Sequence, residues 1–192
     1  MSPNPDPTTM EFELRGWPGD GVSLELDYRE FSYAGKFVVG DTGKAVLTEG
    51  DDILAAASFS PDRTDEATAR IRYVTVRDDR QGDGLGPKLL ARLRVALREQ
   101  GYEQIAIAVN NPFAYQAAYR AGFAWRGDET GLSELVLFTP GDRDPASYRA
   151  GFRLYLERDT RSETERDFID AHMDETPPPV VDPPSTHGRD SS

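Results

Sequence analysis

Apolar and polar residues alternate along much of the first half of the chain, with the two-residue period of β-strands. Runs of this kind predict strands at 10–14, 22–26, 44–48, 53–59 and 69–76. The first two predicted strands flank a turn at 17–21, and a turn at 50–52 links the third to the fourth in a hairpin.

Between the second and third of these runs the apolar period changes to that of a helix. The positions with helical spacing are Tyr28, Phe31, Ala34, Phe37 and Val38. Asp27 with Glu30 resembles a capping box at the start of this segment. We therefore expect a short helix here.

Helices and strands alternate in the second half of the chain. Leucines at 89, 90, 93 and 97 share one helical face, and Gly101 is placed to end that helix. A buried strand at 105–109 precedes a second helix, which closes at Gly122-Phe123. Two last strands are predicted at 123–125 and 135–138. We expect residues 10–140 to form one domain, preceded by a flexible leader at 1–9.

A helical extension is predicted after this domain, over 141–173. Asp144-Pro145 starts a helix with an aromatic stripe, Tyr148, Phe152 and Tyr155, for which core packing is favoured over a subunit contact or a lid. Ser162 and Glu165 suggest a capping box for a last helix that reaches about Met173. Residues 174–192 are rich in Pro, Asp and Ser and predict a disordered acidic tail.

Composition excludes several kinds of site. With no cysteine, disulfides, thiolate metal sites and a Cys nucleophile are ruled out, and the 2 histidines, His172 and His187, lie in or near the tail. We therefore expect no metal. No apolar run approaches the ~20 residues of a membrane span, and the first residues do not resemble a signal peptide. Cytoplasmic residence without membrane contact is the expectation.

The formal net charge of −12 disfavours nucleic acid as a partner, because nucleic-acid binding requires a basic surface. Lysine occurs only at 36, 44 and 88, and the other basic residues are arginines. Surplus carboxylates with scarce lysine resemble halophilic cytoplasmic proteins, particularly those of haloarchaea. At ~1 M salt the Debye length falls to ~3 Å, which screens self-repulsion. This solvation interpretation is favoured over attraction of cationic substrates.

A glycine-rich turn connects the strand at 69–76 to the leucine-rich helix. Its sequence is Gln81-Gly82-Asp83-Gly84-Leu85-Gly86. Alternating glycines allow close approach of a ligand, and the amides at the start of the helix are unpaired at the positive end of its dipole. The turn therefore predicts a diphosphate site. It lacks the Gly-Lys-Ser/Thr of a P-loop, and Pro87 occupies the third glycine position of a Rossmann fingerprint.

A second motif follows the strand at 105–109: Asn111, Ala114, a tyrosine-containing helix and Gly122-Phe123. Together, the Q-x-x-G-x-G pattern of the glycine turn and this second block resemble the GNAT superfamily of acyl-CoA N-acyltransferases. The resemblance is firm over residues 68–138. It implies an α/β fold with a twisted, mixed, mostly antiparallel sheet of six to seven strands, flanked by helices, in which the fourth and fifth strands splay apart.

The resemblance also implies a function. An acetyl group would pass directly from acetyl-CoA, as co-substrate, to a primary amine of a small molecule or peptide. The cofactor-binding residues it implies are Val74, Thr75, Val76, Gln81, Gly82, Asp83, Gly84, Leu85, Gly86, Asn111 and Tyr119. Asn111 is equally well placed to cap the second helix. Asp83 would oppose a diphosphate unless its side chain points to solvent. A homodimer is an open expectation.

The catalytic assignment rests on the same resemblance. The family's leaving-group tyrosine aligns with Ala118, and Tyr119 follows one residue later. We predict Tyr119 as the acid for the thiolate, with Tyr115 in reserve; the structural alternative is that both rings pack against the sheet. Candidates for the general base are Asp62, Asp65, Glu66 and Glu134, or a water chain. The rival function is a catalytically weak or inactive GNAT-like regulatory module that binds acyl-CoA or another ligand.

Overall fold

The computed structural model describes residues 9–159 and 161–186, and its centre is a 7-stranded sheet. The strands are β1 (Met10–Gly16), β2 (Gly43–Glu49), β3 (Asp52–Pro61), β4 (Thr68–Val76), β5 (Gln104–Val109), β6 (Ala124–Glu129) and β7 (Leu135–Thr139). Their order is β1-β2-β3-β4-β5-β7-β6. Only β4 and β5 are parallel neighbours, so the sheet is mixed and mostly antiparallel, as predicted.

The helices of the described residues are α1 (Leu85–Glu99), α2 (Pro112–Arg120), α3 (Pro145–Leu156) and α4 (Glu163–His172). Side chains cap three of them. Asn111 Oδ1 accepts from the Ala114 amide of α2 at 2.8 Å, and Asp144 accepts from two amides of α3. Ser162 and Glu165 form the predicted capping box of α4. None of these helices has the length and apolar character needed to cross a membrane.

The two faces of the sheet are covered differently. One face, here called the helix face, carries Ala45, Ala55 and Ala57 and packs against the buried leucines of α1. The aromatic stripe of α3 is buried in this same core, in agreement with the favoured core-packing interpretation. The other face, here called the loop face, carries Val46, Ala56 and Tyr73 and is covered by the segment 24–37.

β4 and β5 diverge in the middle of the sheet. Their parallel pairing runs from Thr68 opposite Gln104 to Ile71 opposite Ile107 and then stops. Beyond that point β4 pairs only with β3 and β5 only with β7. Ser58 pairs with Tyr73 and Phe59 with Ile71, so Arg72 is the extra residue of a bulge in β4 at this level. The expected splay of the fourth and fifth strands is therefore present.

The predictions for residues 22–38 are wrong. Residues 22–26 form no strand, because β1 pairs with β2 instead, and 27–38 contains only a 3₁₀ turn at Ala34–Phe37. The Leu24 amide donates to the Phe37 carbonyl at 2.9 Å, and both side chains are buried on the loop face. The apolar spacing is thus satisfied by an irregular segment that folds back over the sheet. Asp27 binds the backbone and side chain of Arg29 instead of capping a helix.

Residues 174–186 follow an extended path over the domain, here called the C-terminal strap. The Val181 amide donates to the Arg120 carbonyl at 2.8 Å, and the Phe12 amide donates to the Ser185 carbonyl at 2.9 Å. Arg143 also donates to the Pro178 carbonyl. The sequence predicts a disordered tail over 174–192, of which 187–192 lie outside the described residues, as do residues 1–8 of the predicted leader. The division into leader, domain, extension and tail stays a prediction.

Candidate functional site

A cleft of about 570 Å³ opens where β4 and β5 diverge. Of the residues predicted to bind a cofactor, eight line it: Val74, Thr75, Val76, Gln81, Gly82, Gly84, Leu85 and Gly86. Ile107 and Val109 of β5 form the facing wall. The structure therefore brings the glycine turn and the end of β4 together, as the sequence predicts.

The glycine turn has the backbone that its sequence anticipates. Gly82 and Gly84 have φ of 87° and 76°, in the left-handed region that favours glycine. Gly84 is the N-cap of α1, and the helix starts at Leu85. The amides of Leu85 and Gly86 precede the first full turn of α1, so they have no carbonyl partner within the helix. They are available, at the positive end of the helix dipole, to an anion in the cleft.

The negative charge of Asp83 is paired with the neighbouring Arg80. Arg80 Nε lies 2.8 Å from Asp83 Oδ2, and Arg80 Nη1 lies 3.6 Å from a carboxylate oxygen of Glu49. The hydrogen bond to Asp83 raises the pKa of Arg80. Asp83 itself is exposed and does not line the cleft. Its expected conflict with a diphosphate is thereby reduced.

One face of α2 forms the wall opposite the glycine turn. Phe113, Gln116, Ala117 and Arg120 line the cleft, at the i, i+3, i+4, i+7 spacing of a single helical face. A Cβ built on Gly84 would lie 3.5 Å from Arg120 Nη2, so the guanidinium reaches over the turn. The Arg120 side chain has no hydrogen bond or ion pair with other described residues. Neither sequence motif indicates this residue, although the helical spacing from Phe113 is a signal for it.

Tyr119 and Tyr115 lie on the other side of α2, and neither lines the cleft. The Tyr119 hydroxyl accepts a hydrogen bond from the Trp125 amide at 3.0 Å, and the Tyr115 hydroxyl donates to the Tyr148 carbonyl at 3.0 Å. Burial raises the pKa of both phenols. The structure thus does not bring either hydroxyl to the site, and the catalytic role of Tyr119 stays a prediction. Asn111 does not line the cleft either and acts as the cap of α2.

The carboxylates considered as bases lie outside the cleft lining. Asp62 binds Arg70, and hydrogen bonds from Arg70 and Thr64 hold the pKa of its carboxyl well below the usual range. Asp65 binds the Thr68 hydroxyl, and Glu134 lies within hydrogen-bond distance of the Thr130 hydroxyl. Glu66 is exposed. Within the described chain, the ionisable lining groups of the cleft are the two arginines, Arg80 and Arg120, and the phenol of Tyr33.

The C-terminal extension contributes to the cleft. Phe168 of α4 lines it and packs against Phe113 of α2, with ring centroids 4.7 Å apart. His172 stacks on Phe168, with ring centroids 4.3 Å apart. Residues 9–159 and 161–186 contain no group of three or more His, Asp or Glu that could hold a metal ion.

Comparisons with known proteins agree with this architecture. The family model described as the acetyltransferase (GNAT) family matches residues 7–123. An acetyltransferase from Bacillus subtilis, solved with CoA, superposes with a TM-score of 0.52 at 15% identity, over 68% of this chain and 97% of that chain.

Two further solved structures are less similar in shape. A protein from Salmonella typhimurium with its cofactor acetyl-CoA has a TM-score of 0.46 at 21% identity, over 55% of this chain and 68% of that chain. A GNAT-family protein from Desulfovibrio desulfuricans has a TM-score of 0.44 at 22% identity, over 50% of this chain and 66% of that chain. At these identities the likeness concerns the fold.

Proposed function

The chain belongs to the acetyltransferase (GNAT) family, and we propose that it transfers an acetyl group from acetyl-CoA to a primary amine. The observation that carries the proposal is the cleft between β4 and β5, which ends at the glycine turn. A strand edge with free main-chain groups, followed by free helix amides, suits a ligand with an amide-containing arm and a diphosphate. The CoA complex of the Bacillus subtilis relative, which has the same fold, supports this choice.

The residues present would fit the co-substrate in two parts. Backbone groups of Val74, Thr75 and Val76 on the edge that faces β5 have no strand partner there, so they are available to the pantetheine amides. The amides of Leu85 and Gly86, with the guanidinium of Arg120, would hold the diphosphate. Arg120 would thus supply a positive charge beside the glycine turn. Asp83 does not supply one, although relatives often carry Lys or Arg at its position.

The chemistry needs little acid catalysis at the leaving group. A primary amine with a pKa near ~10.4 must lose a proton to water or to a base before it can attack the thioester carbonyl. The new C–N bond forms, the attached nitrogen loses a second proton to water or to a base, the C–S bond breaks, and the thiolate leaves as the conjugate base of a thiol with a pKa near ~8.5. Because the thiolate is the weaker base, it departs in preference to the amine once the nitrogen is deprotonated. The cleft would then provide much of the rate acceleration by holding the amine close to the thioester carbonyl.

A second function has support from one observation. The hydroxyls of Tyr119 and Tyr115 are buried in hydrogen bonds elsewhere, and no carboxylate of the described residues lines the cleft. A catalytically weak or inactive module that senses acyl-CoA would need neither group. Homodimer formation, an amine acceptor of either kind and the haloarchaeal character remain proposals from the sequence.

One experiment separates the two functions. Coenzyme A is titrated into the full chain by calorimetry, and thiol release from acetyl-CoA is followed across a panel of primary amines, both in dilute buffer and in molar KCl. We expect binding together with amine-dependent release. Binding without release for any amine would favour the sensing module. Absence of binding in both buffers would refute both functions.

A further inference from the structure

An exposed aromatic side chain borders the cleft on the loop face of the sheet. Tyr33 lines the cleft together with Ser32, and 59% of its surface is exposed. It belongs to the segment that covers the loop face, whereas the glycine turn and α2 approach the same gap from the helix face. A ligand that entered beside Tyr33 would therefore meet the proposed co-substrate from the opposite side of the sheet.

The backbone of Tyr33 is strained. Its φ of 60° and ψ of 20° lie in the left-handed region, where a residue with a bulky side chain is an outlier. Glycine or asparagine would adopt this conformation more easily, so the local fold alone does not explain a tyrosine here. Strain of this kind concentrates at ligand sites, where the side chain is needed in that direction.

The surface around Tyr33 is aromatic and apolar. Its ring lies 5.8 Å from that of Tyr73, between centroids, and Lys36 Nζ lies 5.7 Å from the centroid of Tyr73. Of the seven large apolar side chains exposed in the described residues, Tyr28 and Tyr33 belong to this segment, and Val38 and Val39 directly follow it. The position of Lys36 shows that a primary ammonium is accommodated over the ring of Tyr73.

We propose that the acceptor is a small primary amine carried on an aromatic body, which seats its ring against Tyr33 at the loop-face mouth of the cleft. The inference rests on the proposed function and specifies its acceptor. A body with a flat ring would match the exposed face of Tyr33, and no carboxylate of the described part of the chain lines the cleft to bind a second cationic group on the acceptor. The cleft of about 570 Å³ must also receive part of the co-substrate, which is consistent with a small acceptor.

The test compares three amines at saturating acetyl-CoA: 2-phenylethylamine, 2-cyclohexylethylamine and n-propylamine. For the wild-type chain we expect kcat/KM for phenylethylamine to exceed that for propylamine by roughly tenfold or more, with cyclohexylethylamine between them. Tyr33→Ala should reduce the ratio of kcat/KM for phenylethylamine to kcat/KM for propylamine by about tenfold. Tyr33→Phe should retain the preference.

Two variants distinguish a loss of acceptor recognition from a loss of stability. Tyr28→Ala removes an aromatic ring from the same segment, but Tyr28 is 83% exposed and does not line the cleft, so its selectivity should equal that of the wild type. Tyr33→Gly should lose the preference as Tyr33→Ala does, yet unfold at a higher temperature than Tyr33→Ala, because glycine relieves the backbone strain.

The outcomes are distinct. An unchanged ratio between phenylethylamine and propylamine in Tyr33→Ala would overturn the acceptor assignment while leaving acetyl transfer intact. So would a wild-type preference for a peptide amino terminus that Tyr33→Ala does not alter. Coenzyme A binding without thiol release for any amine would overturn the proposed enzymatic function itself.

Discussion

Replacement of Tyr119 by phenylalanine distinguishes a structural hydroxyl from a catalytic one. In the structure this hydroxyl is the acceptor for the Trp125 amide at 3.0 Å, in a fully buried position between α2 and β6. Phenylalanine keeps the ring and its contact with the Arg143 guanidinium, whose Cζ lies 5.4 Å from the ring centroid. The change therefore removes one acceptor and leaves a buried N–H without a partner.

The expected cost follows from that unpaired amide. A buried donor left without a hydrogen bond costs about 1–3 kcal/mol of unfolding free energy. For a chain of this size, 1 kcal/mol corresponds to a shift in Tm of about 2–4 °C, so we expect Tm to fall by roughly 4–8 °C for a 2 kcal/mol loss. Below the transition, acetyl transfer and coenzyme A affinity should stay within about twofold of the wild type, because the hydroxyl does not line the cleft.

The assay combines thermal unfolding with thiol release at a temperature where both proteins are folded. Tyr28→Phe makes the same chemical change at a side chain that is 83% exposed, and should alter neither quantity. A Tyr119→Phe protein with an unchanged Tm and an acyl-transfer rate at least tenfold lower, at similar coenzyme A affinity, would refute this reasoning. It would place the hydroxyl on the departing thiolate, as the sequence predicts.

Two further predictions concern charge. Arg120→Gln should weaken coenzyme A binding, measured by calorimetry, by about tenfold in dilute buffer and by less in molar KCl, because it removes a charge-assisted contact. The control is Arg153→Gln, at an exposed position on α3, which should leave the affinity unchanged. A salt-independent loss would contradict a charge contact. Asp62 has a lowered folded-state pKa through its bond to Arg70, so its stabilisation is present above the unfolded-state value of ~3.9 and is lost as pH falls below it. Asp62→Asn should therefore reduce the fall of Tm at acidic pH. If Tm falls as steeply in the variant as in the wild type, the Asp62 carboxyl does not contribute to the acid sensitivity.

Local patterns predicted the cofactor end of the site. The glycine turn, the leucine face of α1 and the cap at Asn111 depend on residues a few positions apart, so their sequence determines their structure directly. The predictions for residues 22–38 are wrong because the structure of this segment depends on residues far away in the sequence. Its apolar residues are spaced as in a helix, but only some of them are buried. Leu24 and Phe37 pack against Val46 and Ala56, which follow later in the chain, whereas Tyr28 and Val38 are exposed. Only tertiary contacts decide between the two arrangements.

The orientation of α2 lies between these cases. Its start and end follow from the sequence, whereas its rotation depends on which face meets the core. Tyr115 and Tyr119 pack into the core, and this packing turns Arg120 toward the cleft. The family resemblance places the leaving-group tyrosine at Ala118, and Tyr119 is predicted because it follows one residue later. Likewise, the left-handed backbone of Tyr33 has no local signature, since a tyrosine gives no indication of a positive φ.

The bond between Phe12 and Ser185 constrains the order in which the protein can mature. β1 is an edge strand, and the C-terminal strap lies along it, with Phe12 bridged in parallel to Thr186. Until the strap has been synthesised and has docked, β1 presents an unprotected hydrogen-bonding edge to other nascent chains. Proteins shortened before residue 185 would keep this edge bare permanently, which makes self-association the first defect to examine in them.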